Sequence, residues 1–257
     1  MAKNRSNEVL VYGVHAVKSM LEAAPERVLE LFVSNEQSEK LGGLLASAKS
    51  VGIKALSTTK GHLNDWSGDQ LHQGVLARVK PAMELGEREL KAFLKTAFKE
   101  NKAPVFLALD HIQDPHNLGA CMRTADAAGV DGIIVSKNQT APLTEVARKV
   151  ASGAAELLPI YRVANLVRVL ELIKKEGVWV LGSSDQADQD IYQSKLQGPL
   201  CFVMGSEGAG LKPLTVQACD EMISIPMRGS VSSVNVSVAT GIVLFEWLRQ
   251  SGLSSSD

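Results

Sequence analysis

Along most of this chain, short apolar runs alternate with stretches in which apolar residues recur every three or four positions. The runs have the length and β-branched content of strands; the periodic stretches have the spacing of amphipathic helices. Residues 7–80 predict a small α/β unit: a strand at VLVYG, a helix through Val14, Val17, Met20 and Leu21, and a strand at LELFVS. A helix over SEKLGGLLASAKSVG stopping at Gly52, a short strand at 53–56 and an alternating strand at GVLARVK complete it. The stretch KPAMELGERE carries Pro81, Gly86 and dense charge with no apolar period, so residues 81–89 read as a linker.

From 90 the pattern restarts and runs to 257. It predicts helix 90–99, strand 105–110, helix 118–128, strand 132–136, helix 143–151 and strand 158–163. Helix 165–176, strands 178–183 and 200–204, a short helix near 213–218, strand 222–225 and a last helix over 235–250 follow. Strands alternating with helices imply an α/β domain with a parallel sheet. The last helix, VNVSVATGIVLFEWLR, is apolar on most of its surface and needs cover on two sides, for which a second chain would serve. The tail SGLSSSD reads as frayed.

Composition narrows the class. With 257 residues, 45% apolar and 21% charged, the chain fits a globular protein of one large or two ordinary domains. No apolar run approaches the roughly 20 residues of a membrane helix, and MAKNRSNEVLVYG lacks the apolar core of a signal peptide. Cys121, Cys201 and Cys219 show no CxxC spacing, the pattern of a reduced, cytoplasmic protein with thiols in its core. Five scattered histidines give no metal motif. Residues 1–80 carry ten basic against eight acidic residues, and 81–257 seventeen against twenty. Bulk charge therefore steers neither half to a polyanion, and any contact with nucleic acid must rest on a local patch and on shape.

Three polar clusters follow strand-like runs in the C-terminal half: VFLALD leads to DPHNLGACMRTADAAG, LCFVM to GSEGAG, and MISIPM to RGSVSSVN. In a parallel sheet such loops gather at the edge where α/β proteins bind ligands. Asn117 follows Asp114-Pro115-His116 and suits a helix N-cap. Arg123, between Met122, Ala125 and Ala127, has the setting of a solvated residue, yet near a strand end its planar fork also suits a phosphate or ribose. GSEGAG lacks the Lys-Ser/Thr ending of a phosphate loop; it is either a tight turn or a backbone loop that admits a planar ligand. Glu207 within it calls for a cationic partner, a ligand or Arg123. Ser232 or Ser233 suits the N-cap of the last helix. Asn235 in the first turn of so apolar a helix favours a site role over filler. His116 is the alternative base beside the first cluster, and Asp110 and Asp114 suit turns and caps.

At these clusters the chain resembles the SpoU (TrmH) family of the SPOUT superfamily, RNA ribose 2'-O-methyltransferases. DPxNxGxxxRxA is met by Asp114, Pro115, Asn117, Gly119, Arg123 and Ala125, and GxEGxGL by Gly205, Glu207, Gly208, Gly210 and Leu211. IPMxGxxxSLNVSVA is met from Ile225, Pro226 and Met227 through Gly229, Ser233 and Asn235 to Ala239, with Val234 in place of the usual Leu. In the N-terminal unit, YGVHAVKSMLE, APERV and LHQGVLARVKP are similar to the branch of the family that acts on guanosine in 23S rRNA. The resemblance implies a C-terminal trefoil-knotted SPOUT domain, an N-terminal RNA-binding unit like ribosomal protein L30e, S-adenosylmethionine as cofactor, an RNA substrate and a homodimer. It implies cofactor contacts at Gly205, Gly210, Ile225, Pro226 and Val234. Asn117, Arg123, Glu207, Ser233 and Asn235 would be catalytic, a ribose hydroxyl attacking the sulfonium methyl. Two other classes stay open on the residues alone: an RNA-binding protein without activity, and a sugar-phosphate enzyme using GSEGAG as an anion loop.

Overall fold

The computed structural model describes residues 8–37, 40–68 and 71–252. The residues before Glu8, the start of the predicted second helix at Ser38 and Glu39, and the tail beyond Gly252 lie outside the described residues. The chain divides into two compact units: residues through Met83 together with Ser152–Leu157, and Glu84–Ala151 together with residues from Leu158 onward.

In the first unit the order is β1 (Val9–Tyr12), α1 (Val14–Ala23), a 3-10 turn at Pro25–Arg27, β2 (Val28–Ser34), α2 (Gly42–Ser50), β3 (Ala55–Thr58), α3 (Lys60–Ser67) and β4 (Val75–Val79). The strands lie in the order β1-β4-β2-β3, with β4 antiparallel to both neighbours and β2 parallel to β3. Alternation along the strands puts Val11, Leu31, Val33, Val75, Ala77 and Val79 in one core with Val17, Met20 and Leu21 of α1 and Leu44 and Ala48 of α2. The apolar pattern did not predict α3, whose inward positions are few. Thr59 caps it, its side chain accepting from His62 N at 3.2 Å, and Gly68 ends it in the left-handed conformation. Leu63 of α3 packs with Phe32 and Leu76.

The second unit begins with α4 (Glu87–Lys99), β5 (Val105–Leu109), α5 (Pro115–Ala128), β6 (Gly132–Ser136) and α6 (Glu145–Ala151). After α7 (Ala154–Leu157) it continues with β7 (Ile160–Val163), α8 (Leu166–Lys175), β8 (Trp179–Ser183), β9 (Gln189–Asp190), β10 (Leu200–Met204), α9 (Pro213–Ala218), β11 (Glu221–Ser224) and α10 (Val236–Ser251). Among the described residues its sheet has the order β7-β6-β5-β10-β8-β11-β9, every pairing parallel. Strands β5, β6 and β10 are buried at every position, as in a sheet covered on both faces. Leu90 and Leu94 of α4 and Val169, Leu170 and Ile173 of α8 pack on Phe106, Ile134, Val180 and Cys201. Helices α6 and α10 both pack on α5.

Several boundaries differ from the pattern for local reasons. Helix α4 starts inside the stretch read as a linker, because Glu89 Oε2 accepts from Gly86 N at 2.9 Å and closes its first turn; Leu85 already pairs with Tyr161. The predicted strand 158–163 loses its first two residues to the bend between α7 and β7. Residues 152–157 fall in the range read as the second domain but pack with the first unit. Gly153 (φ 97°) comes so close to α1 that a Cβ on it would lie 2.8 Å from Ala16 Cβ. The buried Glu156 carboxylate accepts from Arg27 Nη2 at 2.6 Å and from Ala82 N at 2.7 Å.

Candidate functional site

Strand order decides where the polar clusters meet. Parallel pairing sets Met204 beside Leu109, Val203 beside Gly182 and Ile223 beside Ser183, so β5, β10, β8 and β11 end at one edge. The loops leaving that edge enclose a cleft of about 230 Å³. Gly205, Ser206, Glu207, Gly208 and Gly210 form one wall. Ile225, Met227, Ser232, Ser233 and Val234 form another, with Val236 and Ala239 of α10 behind. Met204 at the end of β10, Ser183 at the end of β8, and Ser184 and Asp185 just after it complete the lining. This fourth loop was not singled out from the sequence, although a polar SSDQ after the apolar run VWVLG carries the same signal as the other three.

The glycine loop folds back on itself. Ser206 and Gly210 exchange backbone hydrogen bonds of 3.2 and 2.9 Å, and Gly208 and Gly210 hold positive φ of 76° and 62°. The chain crosses itself so closely that a Cβ on Gly205 would sit 2.2 Å from the Gly210 carbonyl carbon. The tight turn and the open backbone wall, alternatives from the sequence, are one loop.

Asn235 joins the three clusters. Its Oδ1 accepts from Ser237 N at 2.8 Å and Ser237 Oγ at 2.6 Å, which makes Asn235, not Ser232 or Ser233, the N-cap of α10. Helix α10 thus starts at Val236, and the two serines are left to line the cleft. The Asn235 Nδ2 group donates to Asn117 Oδ1 at 3.0 Å and to Glu207 Oε1. Asn235 is exposed rather than buried, yet both ends of its amide are used. Asn117 is free for this contact because it does not cap α5: Asp114 does, accepting from His116 N at 2.9 Å, with Pro115 preset in the first turn. Glu207 finds its partner in this amide and not in Arg123.

Arg123 stands exposed on α5, outside the residues that line the cleft. Pro226 is also exposed and outside the lining, although its neighbours Ile225 and Met227 belong to it. His116 is exposed, and only its backbone takes part, in the Asp114 cap.

Cys121 and Cys201 sit in the core, and Cys219 is half-buried against it. Burial pushes the Cys121 thiol up to about 11; a 3.5 Å contact with Thr240 opposes this and the charge of Glu207 adds to it. Burial likewise raises Cys219 to about 12 and raises Cys201 as well. None offers a thiolate near neutral pH. Native protein at pH 8 is therefore expected to show no fast-reacting thiol with Ellman's reagent and three per chain once denatured; a rapid native reaction would contradict the burial. Among the described residues no group of three or more His, Cys, Asp or Glu could hold a metal ion, and no helix is long and apolar enough to cross a membrane.

Comparison with known proteins gives this geometry a family. Residues 104–245 match the model of the SpoU rRNA methylase family, and residues 10–85 match that for RNA 2'-O ribose methyltransferase substrate binding. The chain belongs to the SpoU rRNA methylase family. It is 49% identical over 242 residues to the 23S rRNA (guanosine-2'-O-)-methyltransferase RlmB of Photobacterium profundum, a match covering 94% of this chain and 97% of the relative. The RlmB protein of Escherichia coli K12 is 46% identical, with 94% and 98% covered. Among solved structures, the SpoU methyltransferase AviRb of Streptomyces viridochromogenes, in complex with AdoMet, aligns with TM-score 0.70 at 25% identity, covering 97% of this chain and 92% of that one. An rRNA methyltransferase of Sinorhizobium meliloti shares the fold with TM-score 0.70 at 24% identity, covering 98% and 90%.

Proposed function

We propose that this chain transfers the methyl group of S-adenosylmethionine to the ribose 2'-hydroxyl of a guanosine in 23S rRNA. The observation that carries the reading is the junction of Asn117, Glu207 and Asn235 at the rim of a glycine-walled cleft, in a chain that matches the RlmB relatives over nearly its whole length. The cleft suits this cofactor. Met204, Ile225, Met227 and Val234 offer an apolar surface for a flat base and an aliphatic chain, and backbone and serine groups offer hydrogen bonds. Bound there, S-adenosylmethionine supplies an electrophilic methyl group on a sulfonium.

The protein's own residues then position and polarise. Gly205, Gly210, Ile225 and Val234 hold the cofactor through backbone and apolar contacts, and Pro226 stiffens the turn between two lining residues. Asn117, Glu207, Ser233 and Asn235 hold the ribose and its phosphate at the rim; orientation of this kind is worth up to roughly 7–11 kcal/mol of barrier. Arg123 is the cation that steadies the emerging alkoxide and an adjacent phosphate; a guanidinium keeps its proton, so the hydroxyl proton leaves late or in concert. His116 is not needed for this scheme.

The same proposal places a trefoil knot in the C-terminal chain and an RNA-holding role in the N-terminal unit, the second supported by the substrate-binding match over residues 10–85. It also makes the protein a cytoplasmic homodimer. Val238 (51% exposed) and Phe245 (48%) leave one side of α10 uncovered in a single chain, and a second copy would bury it. Mapping 2'-O-methylation in 23S rRNA from cells with and without the protein tests the reading: one guanosine is expected to lose its mark, and an unchanged map would refute it.

A further inference from the structure

Asp110 directly follows β5 and is 2% exposed, a carboxylate buried where only hydrogen bonds offset the loss of water. Its backbone N–H donates to Met204 O at 2.9 Å. Its Oδ2 accepts from Lys212 N at 2.9 Å, and its Oδ1 accepts from the His111 ring through Nδ1. Met204 and Lys212 are the residues on either side of the 205–211 loop. One residue therefore grips both ends of the loop that walls the cleft and carries Glu207. His111 holds a left-handed φ of 60°, a costly conformation for a non-glycine residue, and its ring occupies the second carboxylate oxygen. The turn or capping role read from the sequence is a span across two loops.

We propose that Asp110 is a positioning residue for the cofactor: its backbone N–H holds the Met204 end of the 205–211 loop and its carboxylate the Lys212 end, and the carboxylate's grip sets the backbone wall of the cleft and the aim of Glu207 at Asn235. The inference rests on the reading of this cleft as the S-adenosylmethionine site. A hydrogen bond to a carboxylate is among the stronger ones in a protein, and the loop has no strand or helix of its own to hold it.

Calorimetric titration of the full-length protein with S-adenosylmethionine tests this, with circular dichroism as the check on folding. Asp110→Ala is expected to raise the Kd about tenfold or more. Asp110→Asn keeps an acceptor for Lys212 N and can donate to the His111 ring, so it is expected to stay within about threefold of the natural protein. Lys212→Pro deletes the backbone donor without straining φ, since Lys212 already holds the φ of −68° that a proline ring imposes, and Lys212→Ala, which keeps the donor, controls for the lost side chain. Lys212→Pro is expected to match Asp110→Ala, and the double variant to lose no more than either single one. Wild-type affinity in Asp110→Ala, equal losses in the Asn and Ala variants, or additive losses in the double variant would each overturn the proposal. Should Asp110→Ala not fold, the Asn and Pro variants decide between the same outcomes. Failure of the natural protein to bind S-adenosylmethionine would instead overturn the reading of the cleft.

Discussion

Alanine in place of Arg123 is expected to lower the single-turnover rate of methyl transfer to 23S rRNA by about 10²–10³-fold, while the Kd for S-adenosylmethionine stays within about threefold. The two halves of this expectation have separate grounds. The cleft is lined from the loops after β8, β10 and β11 and from the start of α10, and Arg123 contributes nothing to that lining. Its removal takes no contact from the cofactor. The guanidinium instead sits exposed on α5, the helix whose first turn carries Asn117. It is available to the RNA, where a permanent positive charge lowers the cost of the negative charge that develops on the attacking oxygen. Arg123→Lys keeps the charge and loses the planar fork, so part of the rate should return. Equal losses of turnover and cofactor affinity would refute the role.

The reach of sequence reasoning here follows from how local each signal is. Strands β5, β6 and β10 were legible because they are buried on both faces and read as uninterrupted apolar runs, and the loops after β5, β10 and β11 because each carries a dense polar motif. The capping of α5 and α10 was misassigned by a few residues. Asn117 and the serines are all competent caps, and the choice of Asp114 and Asn235 depends on where the chain comes from, a tertiary fact. The contact of Asn235 with Asn117 spans 118 positions, and no periodicity encodes it. Helix α3 escaped because its apolar face is short and its boundaries lie in Thr59 and Gly68 rather than in a pattern. Glu156 escaped for a further reason: a charged residue between apolar neighbours reads as surface, and it takes the arrival of Arg27 from 129 positions away and of Ala82 N to make its burial tolerable.

Gly205→Ala is expected to weaken S-adenosylmethionine binding by more than about 100-fold and to abolish methyl transfer, while thermal unfolding reports a loss of only about 1–3 kcal/mol. The added Cβ would lie 2.2 Å from the carbonyl carbon of Gly210, 2.4 Å from its oxygen and 2.5 Å from Leu211 N. Carbon atoms settle at about 3.5–4.0 Å, and all three neighbours are main chain, so no side chain can swing aside. Relief requires the two arms of the loop to part by about an ångström, which breaks the Ser206–Gly210 pair and carries Glu207 away from Asn235. The fold survives because the damage lies beyond the end of β10, whose Leu200–Met204 stay packed between β5 and β8. Affinity does not survive, because the displaced backbone is itself the wall of the cleft. Near-native binding in Gly205→Ala, measured by calorimetry on folded protein, would mean that the cofactor is held elsewhere than against this loop.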